Sequence, residues 1–241
     1  MRPAPLLLIV LAGCGAAPRA QHPEPPRTAT FAVAERSAPR TAPRGRWATA
    51  RVLHRTALRA WPAGRPVGRL RPRTEFGSSK VVSVLARRGG WLRVLAPERA
   101  NGQPAWIRAA ATRPGAVSVS LHVDRSERRL TVRRDGHVVR RVRVAVGRPD
   151  TETPTGRFAV TDKLRTRRPD SPYGCCAIAL SGHQPKLLPG WPGGDRLAIH
   201  ATPQTETIGS AASLGCLRAA SRDLRALLRI VPLGAPVFVV S

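Results

Sequence analysis

Short apolar segments separated by turn residues predict a mostly β structure from about residue 47 to the end of the chain. Alternating apolar and polar residues, bounded by glycine-containing turns, are typical of half-buried strands. Before residue 113 the pattern is clearest at 80–85, 91–95 and 105–107, with a turn at Arg88-Gly89-Gly90 between the first two. Strands this short and closely spaced predict a small all-β barrel over residues 47–113.

A second mostly β segment, residues 117–241, contains a dipeptide that specifies a hairpin. Asp135-Gly136 lies between two apolar-rich stretches, 130–132 and 138–144. Both residues of the dipeptide tolerate the positive φ angles that a type I′ turn requires. The two stretches are therefore predicted to pair as antiparallel strands.

One helix is predicted near the C-terminus, before a last strand at 237–240. Ser221 is a suitable N-cap, and Asp223 places a negative charge in the first turn, where the helix dipole favours it. The helix is predicted to end before Pro232 and Gly234. Its buried face should consist of leucines that share one side of the helix, namely Leu224, Leu227 and Leu228.

The first residues predict export from the cytoplasm. Arg2 precedes an apolar run at 6–11 that is too short to span a bilayer but suits the core of a signal peptide. The run ends in Leu11-Ala12-Gly13-Cys14, which resembles a bacterial lipobox, so residues 1–13 are predicted to be a lipoprotein signal peptide and Cys14 the lipidated residue. An ordinary secretory signal with an incidental Cys14 is the alternative. Both predictions, a lipoprotein signal and an ordinary secretory signal, place the mature protein at the outer face of the cytoplasmic membrane or in the periplasm.

A disordered tether is predicted between this anchor and the first barrel. Residues 14–46 are rich in proline, alanine, arginine and threonine and have no apolar periodicity. Such a composition buries too little apolar surface to offset the entropy of ordering, and its prolines favour extended chain.

The net charge narrows the choice of partners. The chain has 41 Lys and Arg against 14 Asp and Glu, a formal charge of +27 that is almost entirely arginine. A charge of this size attracts polyanions. Nucleic acid is not expected, because aromatic residues make up only 4% and no zinc spacing or helix-turn-helix pattern occurs. Anionic cell-wall polymers remain a candidate partner, and a merely solvated basic surface is the alternative explanation.

One histidine and one cysteine form the candidate catalytic pair. A cysteine attacks carbonyls as its thiolate, and an ordinary thiol pKa of about 8.5 means that a base must take the proton. Histidine suits this role because it titrates near neutral pH. His200 ends the apolar run 197–199, as expected at the mouth of a strand, and Cys216 follows Ser213-Leu214-Gly215. Gly215 allows a tight turn there, so that nearby backbone N–H groups can face a developing oxyanion.

The segment around this pair is similar to the catalytic segment of the L,D-transpeptidase family of the YkuD type. That family carries Ile-His-Gly-Thr, a variable stretch and then Ser-His-Gly-Cys-Ile-Arg. Here Ile199-His200-Ala201-Thr202 corresponds to the first block, and Cys216 follows His200 by sixteen positions. The second block is matched by four residues, namely Ser213, Gly215, Cys216 and Arg218.

The resemblance extends upstream and runs from about Val117 to Val240. Thr153-Pro154-Thr155-Gly156-Arg157-Phe158 resembles the family's Thr-Pro-x-Gly-x-Phe turn and strand. Ser171-Pro172-Tyr173-Gly174 and residues 177–182 resemble the strand that borders the family's substrate cleft.

The resemblance implies an L,D-transpeptidase-type β-sandwich with one packed helix. In it Cys216 is the nucleophile and His200 the proton donor and acceptor. Gly215 and Ser213 shape the oxyanion site, and Arg218 and Tyr173 bind the substrate. The substrates are peptidoglycan stem peptides: the thiolate attacks a diaminopimelate–D-alanine bond, and an amine of a second stem resolves the thioester into a 3→3 cross-link. Resolution by water would make the protein an L,D-carboxypeptidase, and neither route requires a metal or an organic cofactor.

The first barrel shows a shorter resemblance. Residues 89–94, Gly-Gly-Trp-Leu-Arg-Val, and 104–107, Pro-Ala-Trp-Ile, resemble bacterial SH3-like modules, which accompany wall enzymes and are expected to bind wall peptides. Trp91 and Trp106 are interpreted as core residues of this module rather than as ligand-stacking residues.

Two positions depart from the family pattern. Leu214 replaces the histidine of Ser-His-Gly-Cys. Any hydrogen bond from that histidine to substrate is lost, whereas the nucleophile and the base are retained. Ala201 replaces the glycine after the base, a small change if its backbone carbonyl orients the imidazole. Adjacent Cys175 and Cys176 are expected to be reduced thiols on a strand, because the small ring of a bond between neighbours strains the peptide.

Two other functions compete with this one. An envelope protein that binds the wall and is catalytically weak would explain Leu214, and labelling of Cys216 by a carbapenem would distinguish it. A papain-like hydrolase is disfavoured because its histidine follows the cysteine, whereas His200 precedes Cys216.

Overall fold

The computed structural model describes residues 45–166, 168, 170–187, 190 and 194–241. The predicted signal peptide, Cys14 and nearly all of the predicted tether lie outside the described residues. Within the described ranges the structure is mostly β with one α-helix, as the sequence predicts. None of the described helical segments has the length and apolar character needed to cross a bilayer.

Seven short strands form the first sheet. They are β1 (Trp47–Val52), β2 (Thr56–Arg59), β3 (Pro66–Leu70), β4 (Val81–Arg88), β5 (Trp91–Leu95), β6 (Ala105–Arg108) and β7 (Thr112–Val117). Their order is β3-β2-β6-β5-β4-β1-β7, and a 3-10 turn at Ala109–Ala111 precedes β7. Small aliphatic side chains fill the core of this sheet, including the fully buried Leu58 and Ile107. Trp91 is buried beneath the Arg108 guanidinium, whereas Trp106 is only half-buried.

The second sheet carries the residues of the candidate site. It contains β8 (Val119–Asp124), β9 (Arg129–Arg134), β10 (His137–Arg143), β12 (Gly156–Arg165), β13 (Cys176–His183), β14 (Arg196–Ala201), β16 (Leu217–Ala219) and β17 (Pro236–Val240). Their order is β10-β9-β8-β17-β12-β13-β14-β16. Two further strands, β11 (Val146–Gly147) and β15 (Ala211–Ser213), pair in parallel beside it.

The predicted hairpin is present between β9 and β10. Asp135 has φ +51° and Gly136 has φ +85°, the pair of positive values that a type I′ turn requires. His137 pairs with Arg134 immediately after the turn. The dipeptide therefore sets the register of this edge of the sheet.

The single helix, α1 (Ser221–Ile230), covers β13 and β14 and closes the core of the second sheet. Leu224 and Leu227 are fully buried, and burying each side chain contributes about 1.5–3 kcal/mol to the free energy of unfolding. The predicted N-cap was wrong by one residue. β16 ends at Ala219, and Ala220 occupies the cap because its carbonyl accepts the first hydrogen bonds of the helix, from the N–H groups of Asp223 and Leu224, so Ser221 is the first helical residue.

Polar contacts join the first sheet to the second near the end of β13. The Asn101 amide donates to the carbonyl of His183 (2.7 Å) and accepts from its backbone N–H (2.9 Å). The His183 ring lies between the Pro97 carbonyl (2.6 Å) and the Asp195 carboxylate (2.9 Å). His183 is the last residue of β13, and it bridges the two sheets because β13 ends against the loop that precedes β6.

Candidate active site

Parallel pairing of β14 with β16 brings the histidine and the cysteine together. In this register His200 lies opposite Arg218, and Ile199 lies opposite Leu217. Cys216 immediately precedes β16, so it lies beside Ala198, two residues before His200 on the neighbouring strand. Both strands are short and mostly buried, and their pairing fixes the two residues on neighbouring strands.

The His200 imidazole is held in one tautomer by the backbone. Its Nδ1 lies 2.6 Å from the Ala201 carbonyl oxygen. A carbonyl can only accept a hydrogen bond, so Nδ1 carries the proton and Nε2 is left as the basic nitrogen. The Tyr173 ring packs edge-on against the imidazole, with ring centroids 5.0 Å apart.

Burial keeps His200 neutral. Desolvation is the largest cause that lowers its pKa, to about 4. The hydrogen bond to Ala201 raises the pKa, and the charge of Arg218 lowers it further. At neutral pH the ring is therefore an unprotonated base rather than an imidazolium.

The Cys216 thiol is held against β14. Its Sγ lies 3.9 Å from the Arg196 carbonyl oxygen. Burial raises the pKa of the thiol, while a hydrogen bond from the Ala198 backbone and the charge of Arg218 oppose that rise. The thiol is therefore protonated at neutral pH, and a base must act when it reacts.

The two side chains share one cavity of about 90 Å³. No hydrogen bond joins the imidazole to the Cys216 sulfur among the described residues, and catalytic hydrogen bonds of this kind often form only when substrate is bound. Five of the site residues that the sequence assigns to the catalytic domain line this cavity, namely Cys216, His200, Ser213, Arg218 and Tyr173. The sixth, Gly215, does not line it. Cys14 lies outside the described residues.

The turn before the nucleophile is tightly hydrogen-bonded. The Ser213 hydroxyl donates to the Cys216 carbonyl (2.5 Å) and accepts from the Gly215 N–H (3.0 Å). Gly215 has φ +112°, which an L side chain rarely adopts. A Cβ at this position would lie 2.0 Å from Nε2 of Gln184. Glycine is therefore required here by conformation and by space.

Comparison with known protein families assigns this domain. Residues 118–239 match the YkuD model, the L,D-transpeptidase catalytic domain, over just half of the chain. The chain belongs to this family.

Two relatives from Bacillus agree with the assignment. YkuD of Bacillus subtilis (strain 168), named as an L,D-transpeptidase, is 31% identical over 124 residues, which cover 52% of this chain and 67% of the relative. Its namesake in Bacillus licheniformis is 32% identical over 131 residues, or 54% and 68% of the two chains. A solved L,D-transpeptidase structure from Mycobacterium tuberculosis H37Rv, 22% identical, aligns over 59% of this chain and 67% of that one with a TM-score of 0.43.

The structure accounts for both departures from the L,D-transpeptidase motif. The Ala201 carbonyl holds the imidazole, so its extra methyl group leaves the orientation of His200 unchanged. Leu214 lines the cavity with an apolar side chain where the family carries histidine. Its backbone carbonyl accepts a hydrogen bond from Gln184 (3.1 Å), so the turn is held without an imidazole.

The expectation for the paired cysteines was wrong. Cys175 and Cys176 are joined by a disulfide. The prediction placed both on one strand, where their side chains would point to opposite faces, but β13 begins only at Cys176. Cys175 belongs to the turn that follows Gly174, whose φ is +57°. Cys216 is the free cysteine of the described chain.

The low pKa of His200 sets an expected pH dependence for this L,D-transpeptidase domain. For a histidine with an ordinary pKa of about 6.5, the fraction in the basic form would fall about tenfold between pH 7.5 and pH 5.5. With a pKa of about 4 the basic form still predominates there. We expect the rate of acylation by a carbapenem to change less than about twofold between pH 7.5 and 5.5.

A stability measurement must accompany this pH profile. The folded pKa of His200 is depressed, so folding favours the neutral ring, and the stability present above pH 6.5 is lost as pH falls towards 4. Thermal melts at each pH identify the range in which the protein stays folded. A tenfold fall in acylation at pH 5.5 with an unchanged melt would contradict the assigned environment of His200.

Proposed function

We propose that Cys216 is the nucleophile and His200 the proton donor and acceptor of an L,D-transpeptidase that forms 3→3 cross-links in peptidoglycan. The observation that carries the proposal is the register of β14 with β16, which places both side chains in one cavity at the family's motif positions. The neutral tautomer of His200, with Nε2 free of a proton, supports its role as base.

The first half of the reaction forms a thioester. Nε2 of His200 takes the thiol proton, and Sγ of Cys216 attacks the carbonyl carbon on the L-side of the diaminopimelate–D-alanine bond of a tetrapeptide stem. The carbonyl oxygen becomes an oxyanion, and the donor assigned to it here is the backbone N–H of Cys216. The carbon–nitrogen bond then breaks, and the departing D-alanine amine takes the proton from His200.

The second half returns the enzyme to its starting state. The side-chain amine of a second stem gives a proton to His200 and attacks the thioester carbonyl. The carbon–sulfur bond breaks, and the thiolate is reprotonated from the imidazolium. Water in place of the amine would yield the tripeptide stem and make the protein an L,D-carboxypeptidase.

Incubation of the purified protein with a muropeptide that carries a tetrapeptide stem tests this function. Mass analysis distinguishes a dimer that has lost one D-alanine, expected for transpeptidation, from a tripeptide monomer, expected for carboxypeptidation. Unchanged muropeptide, together with no carbapenem adduct on Cys216, would favour the wall-binding protein of low activity.

Anchoring by a lipid is proposed on the basis of the Leu11-Ala12-Gly13-Cys14 motif. A lipoprotein cysteine carries several acyl chains, and durable anchoring needs more than one. We therefore expect the protein to fractionate with membranes and Cys14→Ser to release it. A mature N-terminus that begins beyond Cys14 without lipid would contradict this.

Binding to the wall is proposed for the first sheet, as an SH3-like module, and for the arginine-rich surface. The short strands and the separate core of the first sheet support the module. The formal charge of +27 supports an affinity for anionic wall polymers, screened beyond about 8 Å at physiological ionic strength. Binding that survives molar salt would identify a specific pocket, whereas equal competition by heparin would show that charge alone is responsible.

A further inference from the structure

A buried glutamine at the end of β13 connects two loops of the site. Gln184 is 6% exposed and lines the catalytic cavity. Its Nε2 lies 3.1 Å from each of three backbone carbonyl oxygens, those of Thr151, Glu152 and Leu214. The first two belong to the loop before β12, and the third belongs to the turn that carries the nucleophile. No sequence motif pointed to this residue.

The glutamine itself is fixed on its other sides. Its Oε1 accepts from the Lys186 N–H (3.1 Å), and its backbone N–H donates to the Asp195 carbonyl (2.6 Å). His183, the preceding residue, is held by the Asn101 amide. The Gln184 amide is therefore a preorganised donor rather than a mobile side chain.

Every carbonyl of the nucleophile turn is held in the same way. The Ser213 carbonyl accepts from the Thr151 hydroxyl (3.3 Å) and the Arg148 N–H (3.0 Å). The Gly215 carbonyl accepts from the Thr153 hydroxyl (2.8 Å). Together with Gln184 on Leu214, these donors fix the orientation of successive peptide planes.

The orientation of these planes decides where the oxyanion donor points. In a trans peptide the carbonyl of one residue and the N–H of the next point in opposite directions. Fixing the Leu214 carbonyl therefore fixes the Gly215 N–H, and fixing the Gly215 carbonyl fixes the Cys216 N–H. Among the described residues, none accepts a hydrogen bond from the Cys216 N–H.

We propose that Gln184 is a positioning residue for acyl transfer: it fixes the Leu214–Gly215 peptide, and with Thr153 on the next peptide it holds the turn that presents the Cys216 N–H to the oxyanion. The inference rests on the proposed function, because it requires an acyl group on Cys216. Gln184 touches no reacting atom and acts through the turn alone. A Cβ at Gly215 would lie 2.0 Å from Nε2 of Gln184, so Gln184 also excludes a larger residue from this position of the turn.

Two reactions of the same thiol test the proposal. Acylation by a carbapenem develops an oxyanion, whereas alkylation by iodoacetamide does not. Gln184→Met retains the volume of the side chain and removes its donors. We expect this variant to acylate about 10- to 100-fold more slowly, since removal of a whole oxyanion donor costs about 10²–10³-fold. Alkylation should stay within about twofold of the parent. Gln103→Met, at an exposed glutamine of the first sheet, is the matched control and should alter neither rate.

Each other result overturns the proposal in a recognisable way. Parental acylation in Gln184→Met shows that the hydrogen bonds to Leu214 are dispensable. A parallel fall in acylation and alkylation shows that Gln184 only maintains the surroundings of the thiol. If Gln184→Met does not fold, Gln184→Ala receives the same two measurements, and failure of both to fold assigns Gln184 to folding alone. An unmodified Cys216 in the folded parent would instead contradict the proposed function itself.

Discussion

Replacing Cys216 by alanine should reduce acyl transfer to a tetrapeptide-stem muropeptide by at least about 1,000-fold, the scale seen when a sole nucleophile is removed. Cys216 is the free cysteine of the described chain, and the disulfide leaves neither Cys175 nor Cys176 available as a replacement. Formation of a dimer and release of D-alanine, measured by mass spectrometry, should fall together because both follow the same thioester.

The fold should survive this substitution. Among the described residues, the Cys216 sulfur makes polar contacts only with backbone groups, the Arg196 carbonyl at 3.9 Å and the Ala198 backbone, and hydrogen bonds to sulfur are weak, so its removal costs little stability. The melting temperature should therefore change by only a few degrees. A variant that melts normally and still forms the dimer at the parental rate would exclude Cys216 as the nucleophile.

Replacing His200 by alanine should lower acylation about 10²–10⁴-fold at pH 7, the range expected for loss of a general base. The thiol is protonated at this pH, because burial raises its pKa and no preformed thiolate compensates for the missing imidazole. The deficit should shrink as pH rises towards 10, where solvent hydroxide generates the thiolate. Rates measured from pH 7 to 10 with a carbapenem would show this convergence.

The control for this variant is an exposed histidine on the same sheet. His137→Ala, at the start of β10, should leave the rate unchanged. His183 is unsuitable as a control, because its ring bridges Pro97 and Asp195 and its backbone precedes Gln184. A His200→Ala deficit that stays constant with pH would assign the residue a structural role and not that of a base.

Local signals determined how much of the fold could be predicted. The Asp135-Gly136 turn and the apolar face of α1 depend on neighbouring residues, and both appear where the sequence places them. The predictions for the cap of α1 and for Cys175 were wrong because each depends on where a neighbouring strand ends or begins. Trp106 was interpreted as a core residue, but it is half-buried, because its side chain lies on the face of β6 opposite to the buried Ala105 and Ile107.

Most of the candidate site was predicted through its motif, and the rest is non-local. His200 and Cys216 stand in recognisable blocks, and the structure brings them to one cavity. Gln184 follows a buried strand and precedes a proline, a context that specifies no role. Its partners lie about 30 residues away in both directions, at Thr151 and Leu214, so only folding reveals it.

The parallel register of β14 with β16 has a consequence for the evolution of this site. The distance between base and nucleophile is set by hydrogen bonds across two strands and by the held turn before Cys216, and the part of the connecting segment before β15 belongs to neither. Doubling the length of a flexible loop costs only about 0.6 kcal/mol. The exposed stretch around Thr205–Thr207 is therefore free to lengthen or change as substrates change, while the spacing that matters to the chemistry is inherited with the sheet.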